Sequence, residues 1–415
     1  MSAGREIARE PHTGLVPVAE VAVGGGSGCP AVRNRRAVVL AAGASALVVL
    51  AVVVVLGILG RSSSRPSLRD RLGRALDGLI AAGVPGAVVF VRDGPQSILL
   101  ARGVTDVATR APIGTSARFR VASITKSFVA AVVLELVGEH RLSLDERVDA
   151  VVPRLLPSAD AAITVRELLQ HTSGLYDFAR DWRWFWPYFH GDPGHRWAPR
   201  RLLAFSLSHR LSFKPGSRWR YSNTDYVVLG LLVQAVTGRS IATELEERLF
   251  VPLGLRHTTF ATGPASGPAL AHGYTLLRSK IVDATGLSPS AWWAAGAIVS
   301  TAGDVARFYR ALLRGAILPR RLLAPMESVI PDGEPGGGDG LGIVRTRLIA
   351  TLGPSYTVPC DLGWGHSGQI DGYLSAALAS RDASRQYVIL VNEDPGAFPP
   401  GASAALAAVA DAAFC

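Results

Sequence analysis

A hydroxyl and an amine stand three positions apart in this sequence, at Ser123 and Lys126. On a helix, residues i and i+3 lie on one face, so this spacing places the amine beside the hydroxyl. A serine hydroxyl is a weak nucleophile until a base removes its proton, and a lysine becomes such a base when burial lowers its pKa. The pair indicates acyl-transfer chemistry, and the alternative at this point is a surface lysine on an ordinary helix.

Two further short motifs carry groups that could serve the same reaction. Tyr221 and Asn223 offer a phenol that can pass on a proton and an amide that can hold a substrate carbonyl. His366, Ser367 and Gly368 come just before a strand-like run, where glycine lets a substrate backbone approach an edge strand. Taken singly, each motif is also an ordinary loop sequence.

The elements that must position these residues lie between residue 67 and the end of the chain. Strands at both ends with helices between them predict one sheet built from about 67–148 and 292–415, with an inserted helical domain at about 149–291. This is an α/β (α+β) arrangement. The individual helices and strands are predicted from apolar periodicity at 67–82, 87–91, 97–101, 123–139, 373–379, 386–391 and 402–414.

The N-terminal part of the chain has a different composition. Residues 1–36 show no helical or strand period and predict a disordered tail. Residues 37–60 are apolar and uncharged, and roughly 36 Å of helix is enough to span a bilayer. No small-residue cleavage pattern follows, so we expect an uncleaved transmembrane signal anchor and a linker at 61–66. Arginines flank both sides of the span, so charge alone does not orient it.

Composition excludes several classes of protein. The 415 residues are 48% hydrophobic and 18% charged, which argues against wholesale disorder. The net charge of +10 comes from arginines scattered among apolar segments, so we expect no nucleic-acid partner. Three cysteines are too few for a Cys-rich zinc or iron–sulfur site, and we expect neither a metal nor a cofactor.

The order of the three motifs adds a resemblance to a known family. S-x-x-K, then Y-x-N, then [K/H]-[S/T]-G resembles the signature of the penicillin-recognising serine enzymes. The flanks resemble that family too, and the resemblance extends over about 67–415. Within the family, the chain is similar to the serine D-alanyl-D-alanine carboxypeptidases of actinobacterial type and to class C β-lactamases. The similar flanking segments are 120–130, 163–177, 214–230, 294–308 and 363–375.

The resemblance implies a β-lactamase/transpeptidase-like fold: an antiparallel sheet flanked by helices, an all-helical insert, and a site between them. It also implies roles for single residues. Ser123 would be the acylated nucleophile and Lys126 its general base. Tyr221 would be the proton relay to the leaving group and the base for deacylation, and the backbone N–H groups of Ser123 and Gln369 would form an oxyanion hole. The residues implied to contact substrate are Asn223, His366, Ser367, Gly368 and Gln369.

The implied function is a membrane-anchored hydrolase with its catalytic domain outside the cytoplasm, most similar to a D-alanyl-D-alanine carboxypeptidase acting on peptidoglycan stem peptides. A β-lactamase or a small-ester hydrolase on the same fold is the alternative within the enzyme class. A penicillin- or muropeptide-binding sensor with slow turnover is the alternative from another class. Gln369 departs from the family, whose carboxypeptidases often carry a hydroxyl there to bind the terminal carboxylate; Arg345 or Arg347 could supply a cation instead.

The resemblance further implies a disulfide bond. The related carboxypeptidases have a cysteine shortly before the third motif and another at the end of the last helix, which correspond here to Cys360 and Cys415. Cys29 precedes the predicted membrane span, so it would lie on the other side of the membrane. An even pair remains in the compartment where disulfides persist.

Overall fold

In a computed structural model of the chain, the described residues are organised around an antiparallel sheet. The structure describes residues 66–157, 160, 162–263, 269–333, 335–347 and 362–414, which belong to one unit, Pro66–Cys415. Several predictions concern residues outside the described ranges. These are the tail at 1–36, the anchor at 37–60, nearly all of the linker at 61–66, and Cys29, Cys360 and Cys415.

Eight of the strands in the described part of the chain form the main sheet. The strands are β1 Gly86–Asp93, β2 Gln96–Asp106, β3 Ala111–Pro112, β4 Phe119–Arg120, β5 Thr259–Phe260, β6 Tyr274–Leu277, β7 Lys280–Asp283, β8 Ile298–Ser300, β9 Gly338–Asp339, β10 Val344–Arg347, β11 Leu362–Ile370, β12 Tyr373–Ala379 and β13 Arg385–Val391. The main sheet has the order β3-β2-β1-β13-β12-β11-β10-β9. Because β1 pairs antiparallel with β13, the two ends of the chain build one sheet, as the sequence predicts.

Helices cover the sheet and occupy most of the sequence between its N-terminal and its C-terminal strands. They are α1 Leu68–Ala81, α2 Thr125–Gly138, α3 Val148–Val151, α4 Val165–Leu169, α5 Trp186–Phe189, α6 Pro199–Leu207, α7 Asn223–Thr237, α8 Ile241–Leu245, α9 Ala302–Leu313, α10 Arg320–Met326 and α11 Ala402–Phe414. Among the described residues, no single helix is long and apolar enough to cross a membrane. The helical segments 223–237 and 241–250 reach that length and composition only together, and they are bent by 84°.

Both faces of the central strands are buried. In β1, Ala87, Val89 and Val91 pack with α1 and α11, whereas Val88 and Phe90 join the larger core on the other face. A strand that is buried on both faces becomes a continuous apolar run rather than an alternating one. This burial explains why the sequence at 87–91 is apolar throughout.

The predicted all-helical insert is not purely helical. β5, β6 and β7 fall inside 149–291, and β6 and β7 form a hairpin that pairs Leu276 with Ile281. Its turn residues, Arg278 and Ser279, both have positive φ, which two-residue hairpin turns require. Neither residue is the glycine or asparagine that usually signals such a turn, so this hairpin could not be predicted from its turn residues.

Helix α2 lies in the middle of the protein. Its residues from Thr125 to Leu134 are all buried, as expected for a helix that is apolar all round. The predicted helix at 123–139 is thus confirmed, except that its first residues form a 3₁₀ turn at Ala122–Ile124. Lys126, the second residue of α2, is one of these buried residues, so its side chain lies in the protein interior.

Candidate active site

Ser123 lies in a tight turn that projects its side chain into a cleft. The preceding residue, Ala122, has a φ of 49°, a left-handed conformation that costs a non-glycine residue about 1 kcal/mol or more. Ala122 and Ile124 are both buried, whereas Ser123 remains partly exposed and lines the cleft. The buried neighbours therefore hold the turn while the hydroxyl stays accessible.

Lys126 is fully buried, with 0% of its surface exposed. Its Nζ lies 3.0 Å from Ser123 Oγ, 2.8 Å from Asn223 Oδ1 and 2.8 Å from the carbonyl oxygen of Ala295. Burial lowers the pKa of Lys126 to about 7, although the carboxylates of Asp177 and other residues oppose the shift. A substantial fraction of the amine is thus neutral near physiological pH.

The three contacts of Lys126 favour a base that points at the serine. Asn223 Oδ1 and the Ala295 carbonyl are acceptors only, so both N–H bonds of a neutral amine are directed at them. The remaining lone pair is then directed at Ser123, whose hydroxyl can donate its proton to it. This arrangement satisfies the geometric requirement for a general base.

Tyr221 approaches the same hydroxyl from the other side. Its phenol donates to Ser123 Oγ over 2.8 Å, and Lys126 Nζ lies 4.9 Å from the centre of the Tyr221 ring. Burial raises the pKa of Tyr221 well above its ordinary value, and the hydrogen bond with Ser123 opposes this shift only in part. The phenol therefore remains protonated at neutral pH and is equipped to donate a proton.

His171 holds the segment that carries Tyr221. Its carbonyl accepts the backbone N–H of Arg220 over 2.9 Å, and its Nδ1 lies 3.3 Å from the backbone N of Ser222. The His171 ring packs against the Tyr221 ring at 4.4 Å between centres, and Asp225 Oδ2 lies 3.0 Å from Nδ1. Within the described residues His171 thus acts on the position of Tyr221 and does not line the cleft.

Asn223 is oriented by a carboxylate that sequence analysis did not single out. Asp177 Oδ1 accepts the backbone N–H of Asn223 over 3.2 Å, and the Asn223 Nδ2 group lies 3.3 Å from both Asp177 oxygens. This contact directs Oδ1 of Asn223 toward Lys126. Burial raises the pKa of Asp177, while its hydrogen bonds oppose the rise. No short-range pattern could have linked Asp177 to Asn223, because they are far apart in the sequence.

The third motif lies inside β11. The prediction that it comes just before a strand is therefore wrong. The pairing of β11 with β12 places His366 opposite Ala377 and Gly368 opposite Ser375. The glycines in this segment conceal the strand, since they break the apolar alternation. One of them is required by packing: a Cβ on Gly368 would lie 2.4 Å from the carbonyl oxygen of Val121 and 2.8 Å from Cβ of Ala122.

His366 is buried and uncharged. Burial, followed by the charge of Lys126, lowers the pKa of His366 to about 4. Its Nδ1 is in hydrogen-bonding contact with the Ser367 carbonyl, and its ring centre lies 6.4 Å from that of Tyr221. His366 therefore contributes a polar but uncharged group to the cleft near neutral pH.

The structure brings the residues of all three motifs to one cleft of about 280 Å³. Ser123, Tyr221, Asn223 and the third motif line it, together with two residues that sequence analysis did not single out, Trp292 and Leu374; the lining residues of the third motif are His366, Ser367, Gly368 and Gln369. Lys126 lies buried behind the wall. Arg345, proposed as a source of positive charge, instead places its guanidinium 5.9 Å above the Trp364 ring.

Comparison with known proteins agrees with this geometry. The family model described as Beta-lactamase matches residues 71–412. This chain belongs to the β-lactamase family. It is therefore one of the penicillin-recognising serine hydrolases, and the fold and enzyme class inferred from the three motifs are confirmed.

Relatives in the β-lactamase family are named for hydrolysis of D-amino acid compounds. The structure of a D-stereospecific amidohydrolase from Streptomyces sp. is similar, with a TM-score of 0.73 and 33% identity over 84% of this chain and 99% of that one. D-amino acid amidase from Ochrobactrum anthropi SV3, solved with D-phenylalanine, has a TM-score of 0.70 and 28% identity over 83% of this chain and 98% of that one.

A curated relative points to the same chemistry. The D-aminopeptidase of Gluconobacter oxydans is 28% identical over 341 residues, which are 79% of this chain and 59% of the relative. The chain spans less than two thirds of that protein's length and only 34% of a D-aminopeptidase from Brucella anthropi. These names describe the relatives and not this chain.

The close approach of β11 to the serine turn generates a prediction. Gly368→Ala should push the strand away from Ala122 and Ser123 and reduce kcat/KM about 100-fold or more, the size of effect seen when an oxyanion donor is lost. Gly303→Ala is the control, because an added Cβ there meets no atom within 4 Å. Steady-state hydrolysis and thermal unfolding would be measured for both. Full activity in Gly368→Ala would refute the packing argument.

Proposed function

We propose that this chain is a serine hydrolase of amide bonds in which a D-amino acid supplies the acyl group. The observation that carries the proposal is the position of Ser123 Oγ, which lies 3.0 Å from a buried amine and 2.8 Å from a protonated phenol. An oxygen between a base and an acid suits attack on an amide, whose leaving nitrogen must be protonated. The names of the similar amidohydrolase and amidase support D-stereospecificity.

In the acylation step of this proposal, neutral Lys126 takes the proton of Ser123. Ser123 Oγ bonds to the amide carbon, and the carbonyl oxygen becomes an oxyanion facing the backbone N–H groups of Ser123 and Gln369. Such donors are effective because they are fixed before charge develops. Asn223 and the third-motif residues His366, Ser367 and Gly368 would contact the bound substrate.

Collapse of the intermediate breaks the carbon–nitrogen bond. The Tyr221 hydroxyl donates its proton to the leaving amine, and the Lys126 ammonium formed in the first step replaces that proton. Water then attacks the carbonyl carbon of the acyl-enzyme and loses a proton to the neutral amine of Lys126, because the Tyr221 phenol is protonated. The free acid leaves as Ser123 regains its hydrogen. The net reaction is amide plus water giving acid plus amine.

The D-alanyl-D-alanine carboxypeptidase predicted from the sequence remains a second candidate function, with a narrower range of substrates. It shares the D-residue acyl donor, but it requires a site for the terminal carboxylate of a peptidoglycan stem peptide. Gln369 is exposed in the cleft without the hydroxyl that such relatives use, and Arg345 lies over Trp364. Four compounds separate the candidates: a D-amino acid amide tests our proposal, a diacyl-D-Ala-D-Ala peptide the carboxypeptidase, a cephalosporin the β-lactamase and a short-chain ester the esterase. A slow-turnover sensor would hydrolyse all four slowly.

The nucleophile assignment makes a direct prediction. Ser123→Ala should abolish covalent labelling by a fluorescent penicillin and lower hydrolysis of a D-amino acid amide by several orders of magnitude, because only the hydroxyl can form the acyl-enzyme. Ser217→Ala, which alters an exposed hydroxyl, should retain both. Gel fluorescence and amide turnover are the measurements. Labelling that persists in Ser123→Ala would exclude this nucleophile.

The protonation state of Lys126 predicts the pH dependence. A base must be neutral to act, and the pKa of Lys126 is about 7, so kcat/KM should rise with pH through about 7 and fall tenfold per unit on the acid side. Asp339 also has a pKa raised by burial to about 7. Asp339→Asn therefore serves as the control and should keep the acid limb, shifted toward lower pH because the charge of Asp339 raises the pKa of Lys126. Loss of the limb in that variant would assign it to Asp339 and contradict the prediction.

The anchor at 37–60, the extracytoplasmic location and the Cys360–Cys415 disulfide are proposals that rest on the sequence. The disulfide would close a loop of about 55 residues and stabilise the fold by roughly 4 kcal/mol in the chain-entropy model. Thiol titration of the denatured, unreduced full chain should find one reactive thiol, that of Cys29, and Cys360→Ser should raise the number to two. Three thiols in the unaltered chain would exclude the bond.

A further inference from the structure

A second, larger space opens beside the catalytic cleft. It has a volume of about 530 Å³ and shares Trp292 and Gln369 with the cleft that contains Ser123. The two spaces therefore adjoin at the end of β11. The other residues that the argument uses from its lining are Arg180, Trp182, Trp184, Phe185, Asp371 and Asp394.

The direction of β11 identifies which part of a substrate would enter this space. In the proposed reaction Tyr221 protonates the leaving group, and the nearby His366 marks the leaving-group end of the strand. Gln369 and then Asp371 follow along the chain, away from that end. The second space thus lies on the acyl side of the scissile bond, where the D-residue that acylates Ser123 must sit.

Aromatic side chains build one wall of the space. Trp184 is buried and fixed, because its indole N–H donates to the Ala179 carbonyl over 3.0 Å and its ring packs edge-on against Trp292 at 5.0 Å. Phe185 packs against Trp184 at 5.1 Å. Trp182 lies at the mouth, with 63% of its surface exposed. This wall suits an uncharged side chain of the acyl residue.

Two carboxylates, those of Asp371 and Asp394, also line the second space, and only one of them is available to a ligand. Asp394 accepts the backbone N–H groups of Gly372 over 3.0 Å and Gly396 over 2.9 Å, so it holds the turn between β11 and β12. Asp371 lies in that turn, partly buried, and no side-chain donor in the described part of the chain is within hydrogen-bond distance of its carboxylate.

The surroundings of Asp371 leave its charge incompletely balanced. Burial and the charge of Asp394 raise the pKa of Asp371 to about 6, against the weaker effects of a hydrogen bond from its own backbone N–H and of the Arg120 charge. Arg120 itself donates to the carbonyls of Thr285 and Leu287 over 2.6 and 2.7 Å. Among the described residues lining the catalytic cleft itself there is no carboxylate. On the acyl side, Asp371 is thus the open partner for a cation.

We propose that Asp371 binds the free α-ammonium group of the acyl D-residue while the tryptophan wall holds its uncharged side chain. The proposal rests on the proposed function and narrows its substrate class to unblocked D-amino acid amides and peptides with a free N-terminus. Arg180, exposed at the rim, disfavours a second positive charge on the side chain. N-acylated substrates, including diacyl-D-Ala-D-Ala peptides, lack the cation that Asp371 would pair with.

The experiment compares D-phenylalanine amide with N-acetyl-D-phenylalanine amide, which differ in the charge on the α-nitrogen. The unaltered chain should hydrolyse the free amine with the higher kcat/KM. Asp371→Asn should raise KM for the free amine about ten- to a hundred-fold, the range for loss of a charged hydrogen bond, and change little for the N-acetyl compound. Asp371→Glu should restore part of the preference. Asp93→Asn, which alters an exposed carboxylate at the end of β1, should leave the hydrolysis of both substrates unaffected.

A binding measurement separates this proposal from the proposed function. Calorimetric titration of the full-length Ser123→Ala chain with both compounds reports charge preference without turnover. If Ser123→Ala binds the free amine more tightly and Ser123→Ala/Asp371→Asn does not, the ammonium site is supported. This holds even if the unaltered chain hydrolyses neither amide, since absence of hydrolysis would refute only the proposed function. Equal binding of the two compounds, or a preference unchanged by Asp371→Asn, would overturn the ammonium site, whatever the hydrolytic activity.

Discussion

Burial of one amine governs the rest of the site. Lys126 has no contact with solvent, so its charged form is destabilised and its neutral form becomes accessible near pH 7. That burial follows from α2, a helix that is apolar on every side and must lie inside the protein. The two acceptors of Nζ, Asn223 Oδ1 and the Ala295 carbonyl, come from parts of the chain far from Lys126, so the base exists only in the folded molecule.

The same constraint extends to the neighbouring elements. Asp177 holds Asn223 so that its carbonyl oxygen meets the amine, and His171 with Asp225 holds the backbone on both sides of Tyr221. On the opposite side of the cleft, only glycine at position 368 lets β11 pack against the turn of Ser123. Asp177, His171 and Asp225 do not line the cleft, so they position the reacting groups from behind it.

Sequence reasoning could predict the parts of the protein in which local pattern and structure agree. The strand at Tyr373–Ala379 and the helix at Ala402–Phe414 match their apolar runs. The three motifs identify most of the residues that line the cleft. β11 is not predicted from the sequence, because glycines interrupt its apolar alternation, and neither is the β6–β7 hairpin, which lacks turn glycines. Asp177 and Trp292 were not singled out, since their roles depend on contacts between residues distant in sequence.

The pairing of β1 with β13 has a consequence for how the molecule comes into being. The first hairpin finds its partner strand only near the C-terminal end of the chain, and β11 must also be present before the turn of Ser123 has its second wall. Contacts so distant in sequence carry a large loop-closure cost and slow folding. A nascent chain emerging from the ribosome therefore holds its nucleophile and its lysine long before it can use them, and hydrolytic competence arrives with the last strands to be synthesised.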